Sequence, residues 1–213
     1  MSPPSLSPQP GFSGCSGLTN PLPTEEFQKA AAAFQKRASE SPQDAQVLYD
    51  EGKTFASQKR YEEAISFYTK AVQLKPDFWQ AYEGRGHVQK QFDLAVQDFT
   101  KSIELNPADA NAYLGRGATY FVRGHYDQAL ADLQKSLSLS QTDKCTCYYL
   151  GRVYESMGNG DAALVNYGKA LEIDPSFASA LWYRAKLYSG RGESEKASAD
   201  QARLDSLAKQ PAK

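Results

Sequence analysis

The sequence of 213 residues has no long hydrophobic run and almost no net charge. Crossing a bilayer takes about 18 or more consecutive apolar residues, and no segment is that long, so we expect no membrane insertion. The formal net charge is -1, and without a basic excess we expect no nucleic-acid partner. With 41% hydrophobic and 23% charged residues, the composition is that of a soluble globular protein.

Cysteine and histidine are also scarce, which limits the possible chemistry. Three cysteines, Cys15, Cys145 and Cys147, are too few for a disulfide framework, so we expect a reducing, cytoplasmic location. On a helix, Cys145 and Cys147 would point about 200° apart and would not readily share a metal ion. No arrangement of nucleophile and carboxylate can be argued around His87 or His125. Because phosphate-binding glycine loops and HExxH motifs are missing too, the sequence predicts no enzyme activity, no cofactor and no metal site.

Proline, serine and glycine concentrate in residues 1–23, where apolar residues are sparse. This composition predicts a disordered leader. The segment around Cys15 resembles the end of a bacterial lipoprotein signal, in which the cysteine is lipidated, but the preceding residues lack the basic start and apolar stretch of such signals. One alternative stays open: if the true start lies upstream, the chain is a lipid-anchored envelope protein that organises a membrane-associated assembly.

One pattern recurs along the rest of the chain. It is marked by six alanines spaced 34 or 31 residues apart: Ala30, Ala64, Ala95, Ala129, Ala163 and Ala197. Bulky residues, mostly aromatic, stand three before and four after these alanines, as Tyr61 and Tyr68 do around Ala64. This is the spacing of one helix face. A small residue, usually glycine, lies about one helix further upstream, and it would let two helix backbones approach closely.

Helix ends recur as well. Pro76, Pro107 and Pro175 stand twelve residues after their alanines and predict the end of a second helix. Aspartate or serine follows where the next helix needs an N-cap acceptor: Asp77, Asp109, Asp143 and Ser176. Each repeat is therefore predicted to be a helix, a tight turn and a second helix.

This pattern resembles the tetratricopeptide repeat (TPR) over about Phe27 to Leu204. The resemblance implies an all-α fold, a right-handed superhelical solenoid of antiparallel helix pairs. In this family the first helices line a concave face that holds peptides or other proteins. We therefore expect a non-enzymatic interaction scaffold or adaptor with a protein or peptide partner, and we favour a monomer.

The repeats divide the chain after the leader. The predicted parts are an N-terminal capping helix formed by a half repeat (24–43), four repeats (45–177, namely 45–78, 79–109, 110–143 and 144–177) and a degenerate fifth repeat with a C-terminal capping helix (178–209). The second repeat is shortened, because nine rather than twelve residues separate Gly86 from Ala95, and Gln89 stands at the usual aromatic place. A tolerated deletion and a functional bend both remain open.

The resemblance also implies a peptide groove on the inner face of the first helices. Projection of that face selects thirteen residues: Tyr49, Lys53, Glu83, His87, Asn111, Leu114, Phe121, Tyr148, Tyr149, Arg152, Trp182, Tyr183 and Lys186. Aromatic residues with mostly basic neighbours favour an extended peptide with acidic and apolar residues. The densest part is C-terminal, where arginine and aromatic residues, the types enriched in binding hot spots, occur together. The alternative is solvated cations beside aromatic residues that pack on their neighbours.

Two narrower questions concern ligand and structure. In co-chaperones of this family, lysine, asparagine and arginine residues on three successive repeats clamp the acidic C-terminal tail of heat-shock proteins. Those residues do not stand at the corresponding positions here, whether the comparison starts at the first or at the second repeat, so we do not expect that ligand. Arg85, Arg116 and Arg184 each precede the small residue of their repeat. Recurrence at one repeat position predicts pairing with a neighbouring helix rather than a basic patch.

Overall fold

The computed structural model of the chain describes Lys29 and residues 44–209. The predictions for the leader 1–23, for Cys15 and for nearly all of the half repeat 24–43 lie outside the described residues. The described part is all-α, with ten helices: α1 (Ala45–Ser57), α2 (Tyr61–Leu74), α3 (Trp79–Val88), α4 (Phe92–Leu105), α5 (Ala110–Val122), α6 (Tyr126–Leu139), α7 (Lys144–Ser156), α8 (Gly160–Ile173), α9 (Ala178–Gly190) and α10 (Ser194–Ala208).

The described residues fall into two compact units, which we call the N-terminal unit (44–119) and the C-terminal unit (120–209). The boundary lies within α5. In the N-terminal unit, α1 packs on α2, α2 on α3, and α3 on α4. In the C-terminal unit, α6 packs on α7, α7 on α8, α8 on α9, and α9 on α10. Both units thus consist of successive helices packed on their neighbours, the arrangement predicted from the repeat.

Small residues stand where the helices of a pair cross. The alanines of the repeat pattern are between 0% and 3% exposed: Ala64, Ala95, Ala129, Ala163 and Ala197. A Cβ atom at Gly52 would lie 2.6 Å from ring carbons of Tyr68, and one at Gly151 would lie 2.5 Å from Tyr167 Cε1. Glycine is therefore required for the close approach at both crossings, which confirms the predicted role of the small residues.

Two of the four predicted N-caps are observed. Asp143 accepts hydrogen bonds from two backbone N–H groups at the start of α7, and Asp109 Oδ1 accepts one at the start of α5. For Asp77 and Ser176 the prediction was wrong, because buried phenylalanines occupy the N-cap positions of α3 and α9 and no side chain caps either helix. Ser176 instead donates to Asp174 Oδ1 at 2.7 Å.

The second repeat is short because α3 has 10 residues, whereas α1, α5, α7 and α9 have 13. All three missing residues come from the helix, because the turn 89–91 is as long as the turns 58–60 and 123–125. Val88, which is 4% exposed, packs in the core with Ala64 and Tyr68. Gln89 is the C-cap residue with an extended backbone. The helix therefore ends just before the position where other repeats have an aromatic residue.

The recurring arginines form ion pairs inside helix pairs. Arg85 Nε and Nη2 donate to Asp98 Oδ2 and Oδ1 at 2.9 and 2.7 Å. Arg184 makes the same two-bond pair with Asp200, at 2.8 and 2.7 Å. The predicted structural role is confirmed for both arginines, since the planar guanidinium matches each carboxylate.

Two repeats depart from this pair, and in each both positions change together. The fourth repeat has Leu150 and Asn166 where arginine and aspartate stand elsewhere. The first repeat has Glu51 and Phe67. Glu51 is 4% exposed, and its Oε2 has no hydrogen-bond partner in the described part of the chain. Burial raises the pKa of Glu51, so this carboxylate is an unfavourable buried charge.

Candidate functional site

Seven of the thirteen projected residues lie in the C-terminal unit and meet there. We call them the basic–aromatic cluster: Phe121 on α5, Tyr148, Tyr149 and Arg152 on α7, and Trp182, Tyr183 and Lys186 on α9. Consecutive ring contacts join its members. The ring centroids of Phe121 and Tyr149 are 6.1 Å apart, and those of Tyr148 and Tyr183 are 5.8 Å apart. The aromatic residues of α5, α7 and α9 therefore form one continuous group of contacting rings.

Arg152 is the centre of this cluster. Its guanidinium carbon lies 3.8 Å from the ring centroid of Tyr183 and 5.1 Å from that of Phe121. Arg152 Nη1 donates a hydrogen bond to Tyr148 Oη at 3.1 Å. Stacking on an aromatic face and a hydrogen bond at one edge hold a planar guanidinium in a defined orientation. The three residues come from α5, α7 and α9, so the fold of the unit fixes the arginine.

The aromatic residues of the cluster have two different positions. Tyr148 and Tyr183 are only 2% and 5% exposed, and burial raises the pKa of Tyr148 well above its ordinary value. They form the floor beneath the arginine. Phe121, Tyr149 and Trp182 are half-buried, so part of each ring is accessible to a ligand. The projection from sequence did not separate these two groups.

A carboxylate stands beside one of the two cations of the cluster, Lys186. Glu155 follows Arg152 by three residues, which makes the two side chains neighbours on the surface of α7. Glu155 Oε2 accepts a hydrogen bond from Tyr167 Oη at 2.6 Å, and its Oε1 lies 3.9 Å from Lys186 Nζ. The Lys186 side chain is 54% exposed. Glu155 is thus held by the core tyrosine and only loosely by the exposed lysine.

The half-buried Arg152 has no carboxylate within ion-pair distance among the described residues. Its Nε and Nη2 donate no hydrogen bond there, because the bond to Tyr148 is made by Nη1. Charged groups removed from water are normally paired or bound to a ligand. Guanidinium groups bind carboxylates and phosphates through two parallel hydrogen bonds. The cluster therefore has the chemistry of an anion-binding site with aromatic walls.

The projected residues of the N-terminal unit have a different electrostatic environment. Lys53 Nζ lies 5.4 Å from the ring centroid of Tyr49, and His87 Nε2 lies 3.5 Å from Glu83 Oε1. Burial, aided by the charges of Glu83 and Asp50, raises the pKa of Tyr49 to about 12. Carboxylates therefore surround this tyrosine, and the basic character expected from sequence does not extend to this unit.

Asp109 adds to that acidic environment. Its Oδ2 is buried without a hydrogen-bond partner in the described part of the chain, and burial together with the charge of Glu83 raises its pKa. Asn111 is exposed and Leu114 is half-buried on α5. The projection missed Asp109 because this residue precedes the helix, and it missed Tyr167 because that residue belongs to a second helix. Neither residue belongs to the face of the first helices that was projected from the sequence.

Two features are absent from the described residues. None of the described helices combines the length and the apolar character that crossing a membrane requires. Within residues 44–209, no group of three or more histidine, cysteine, aspartate or glutamate side chains is arranged to hold a metal ion.

Comparison with known sequences identifies the repeat. Profiles described as tetratricopeptide repeat match residues 45–78 and 99–131, and one described as TPR repeat matches residues 151–192. A stretch of 57 residues is 42% identical to the peroxisomal targeting signal receptor of Candida albicans. This stretch covers 27% of the chain and 10% of that receptor, so the likeness concerns a small part of the receptor.

Solved structures share the fold at low sequence identity. YrrB, described as a TPR protein with an unusual peptide-binding site, matches with a TM-score of 0.62 and 24% identity, over 82% of this chain and 92% of that one. PilW, a type IV pilus biogenesis factor, matches with a TM-score of 0.77 and 18% identity, over 85% and 86% of the two chains. The repeat profiles together match about half of the chain, and the chain belongs to the tetratricopeptide repeat family.

Proposed function

We propose that the protein is a non-catalytic interaction scaffold whose basic–aromatic cluster binds an extended peptide segment with acidic and apolar residues. Membership of the family supports the scaffold role. The similarity to a targeting signal receptor and to a protein described as having a peptide-binding site is compatible with a peptide ligand. The cluster supplies the particular chemistry of this chain.

Arg152 is the observation that carries the proposal. It is stacked on Tyr183, hydrogen-bonded to Tyr148 at one edge and without a carboxylate partner in the described residues. A side-chain or terminal carboxylate of a ligand would complete its pairing through Nε and Nη2. Because the orientation of the guanidinium is already fixed, little conformational entropy is lost when the ligand binds.

Trp182 and Tyr149 define the apolar part of the ligand. Both rings are half-buried and adjoin the floor of the cluster, with Trp182 4.7 Å from Tyr183 and Tyr149 5.2 Å from Tyr148 between ring centroids. Lys186 Nζ lies 5.7 Å from the ring centroid of Trp182. An apolar residue next to the ligand carboxylate could pack on these rings, while Lys186 adds an exposed positive charge.

The test is a binding measurement with defined peptide libraries. One fluorescein-labelled library has a central glutamate flanked by leucine or phenylalanine, with random outer positions, and a matched library has glutamine at the centre. We expect fluorescence anisotropy to show tighter binding of the glutamate library. Arg152→Gln should weaken it by about tenfold or more, since it removes one partner of a desolvated charge pair.

Lys135→Gln is the matched control, because it removes one positive charge from an exposed position on α6 outside the cluster. It should change the affinity less than about twofold, as expected for an exposed charge. Equal binding of the two libraries, or equal losses for Arg152→Gln and Lys135→Gln, would contradict the proposal.

A further inference from the structure

Glu155 lowers the net positive charge of the basic–aromatic cluster. This inference rests on the proposed function and concerns which anion the site accepts. The charged side chains of the cluster and its neighbour are Arg152, Lys186 and Glu155, and the carboxylate lies 3.9 Å from Lys186 Nζ. With both cations protonated and Glu155 ionised, their charges sum to one positive charge.

Glu155 is fixed in this place and does not move aside easily. Its Oε2 accepts the hydrogen bond from Tyr167 Oη at 2.6 Å, and Tyr167 is fully buried. Burial and the charge of Glu155 raise the pKa of Tyr167, so the phenol stays protonated and remains a donor. The Glu155 side chain is only 22% exposed. A negative charge is therefore built into the wall of the site.

A single positive charge suits a monoanion better than a dianion. Attraction to a fixed charge grows in proportion to the charge of the ligand. The cost of removing an ion from water rises faster, with the square of its charge in the Born description. A phosphorylated side chain carries a charge of about -2 near pH 7, so one of its charges would stay uncompensated among the aromatic rings.

We propose that the basic–aromatic cluster selects a carboxylate over a phosphoryl group and that Glu155 sets this preference. Guanidinium groups by themselves pair with both anions, so the choice depends on the neighbouring charge and not on Arg152. Glu155 is a specificity-determining residue in this account, and phosphoserine in place of glutamate weakens binding.

The experiment compares three libraries that differ only at the central residue, which is glutamate, phosphoserine or glutamine. Fluorescence anisotropy at pH 7.4 with the full chain should show that glutamate binds most tightly. Glu155→Gln keeps an oxygen acceptor for Tyr167 and removes the charge. If it improves binding of the glutamate library by about threefold, it should improve the phosphoserine library by about tenfold, because the same charge acts on a dianion.

Two further variants sharpen the result. Glu172→Gln removes the same charge from α8, where Glu172 lines a separate cavity of 580 Å³, and it should leave the preference unchanged. Lys186→Gln, at an exposed position, lowers the positive charge and should widen the preference for glutamate. Thermal unfolding followed by circular dichroism confirms that each variant is folded.

Wild-type binding of phosphoserine as tight as or tighter than that of glutamate would overturn the inference. So would an unchanged preference in Glu155→Gln or an equal effect of Glu172→Gln. If glutamate binds no better than glutamine, the proposed function itself fails, and the inference fails with it. That outcome differs from the first, in which glutamate binds well but without preference over phosphoserine.

Discussion

Replacing Ser102 with alanine should stabilise the protein, whereas the same change at Ser136 should destabilise it. The two serines are 34 residues apart and occupy the same place in consecutive repeats. Ser102 is 0% exposed, and its Oγ has no hydrogen-bond partner in the described part of the chain. Ser136 Oγ lies 3.0 Å from Thr146 Oγ1. The difference has a simple origin: Ala112, which has no hydroxyl, stands where the next repeat has Thr146.

The magnitudes follow from the hydrogen bonds. A buried hydroxyl without a partner costs about 1–3 kcal/mol, so Ser102→Ala should raise the free energy of unfolding by about 1 kcal/mol. Ser136→Ala loses the hydrogen bond with Thr146 and should lower the free energy of unfolding by a similar amount. In a chain of this size, about 1 kcal/mol shifts the melting temperature by about 2–4 °C.

Equilibrium unfolding in urea, with the melting temperature as a second measurement, tests this pair of variants. Each variant should shift the midpoint without changing the slope, since neither alters the surface exposed on unfolding. Equal destabilisation by both substitutions would refute the reasoning, because it would show that the Ser102 hydroxyl is satisfied.

Three further predictions concern stability. Glu51→Leu should raise the free energy of unfolding at pH 7. Burial raises the pKa of Glu51 in the folded protein, so the wild type loses stability as the pH rises from the ordinary pKa of 4.5 through the folded-state pKa. The gain from Glu51→Leu, measured by unfolding in urea, should therefore grow over that pH range and be smallest below it. Lys59→Gly should stabilise the protein by about 1 kcal/mol in thermal unfolding, since Lys59 has a φ of 62°, a conformation that glycine adopts without strain. Gly158→Ala, at a φ of 78°, should destabilise it for the same reason. A stability change of the same sign in both variants would contradict this. Gly151→Ala should lower the melting temperature by several degrees because its Cβ would lie 2.5 Å from the Tyr167 ring, and an unchanged melting temperature would show that the ring can move.

Sequence positions that carry the same residue type in several repeats were the predictable part of this fold. Ala64 and its counterparts, and Gly52 with its aromatic contact, were correctly placed because each position is constrained in every repeat by the same helix crossing. Arg85 and Arg184 were recognised as structural for the same reason. The recurrence of a residue type at one repeat position indicates a structural role that a single residue would not reveal.

Features that depend on contacts between different repeats were not predictable. Val88 of the second repeat packs with Ala64 and Tyr68 of the first, a contact that the spacing of Gly86 and Ala95 does not specify. Burial and the charge of Glu83 raise the pKa of Asp109, although the two residues belong to successive helix pairs. Helical periodicity selects a face, but it does not give the depth of each residue, and therefore Tyr148 could not be separated from Tyr149.

The most direct test of the peptide site is the NMR signal of the Arg152 side chain. The Nε–Hε resonance of Arg152, assigned by its absence in Arg152→Lys, should shift progressively on titration with a glutamate-centred peptide taken from the library. The resonances of Arg184 and Arg85, which are already paired with Asp200 and Asp98, should stay in place. A binding peptide that leaves the Arg152 resonance unmoved would contradict the account.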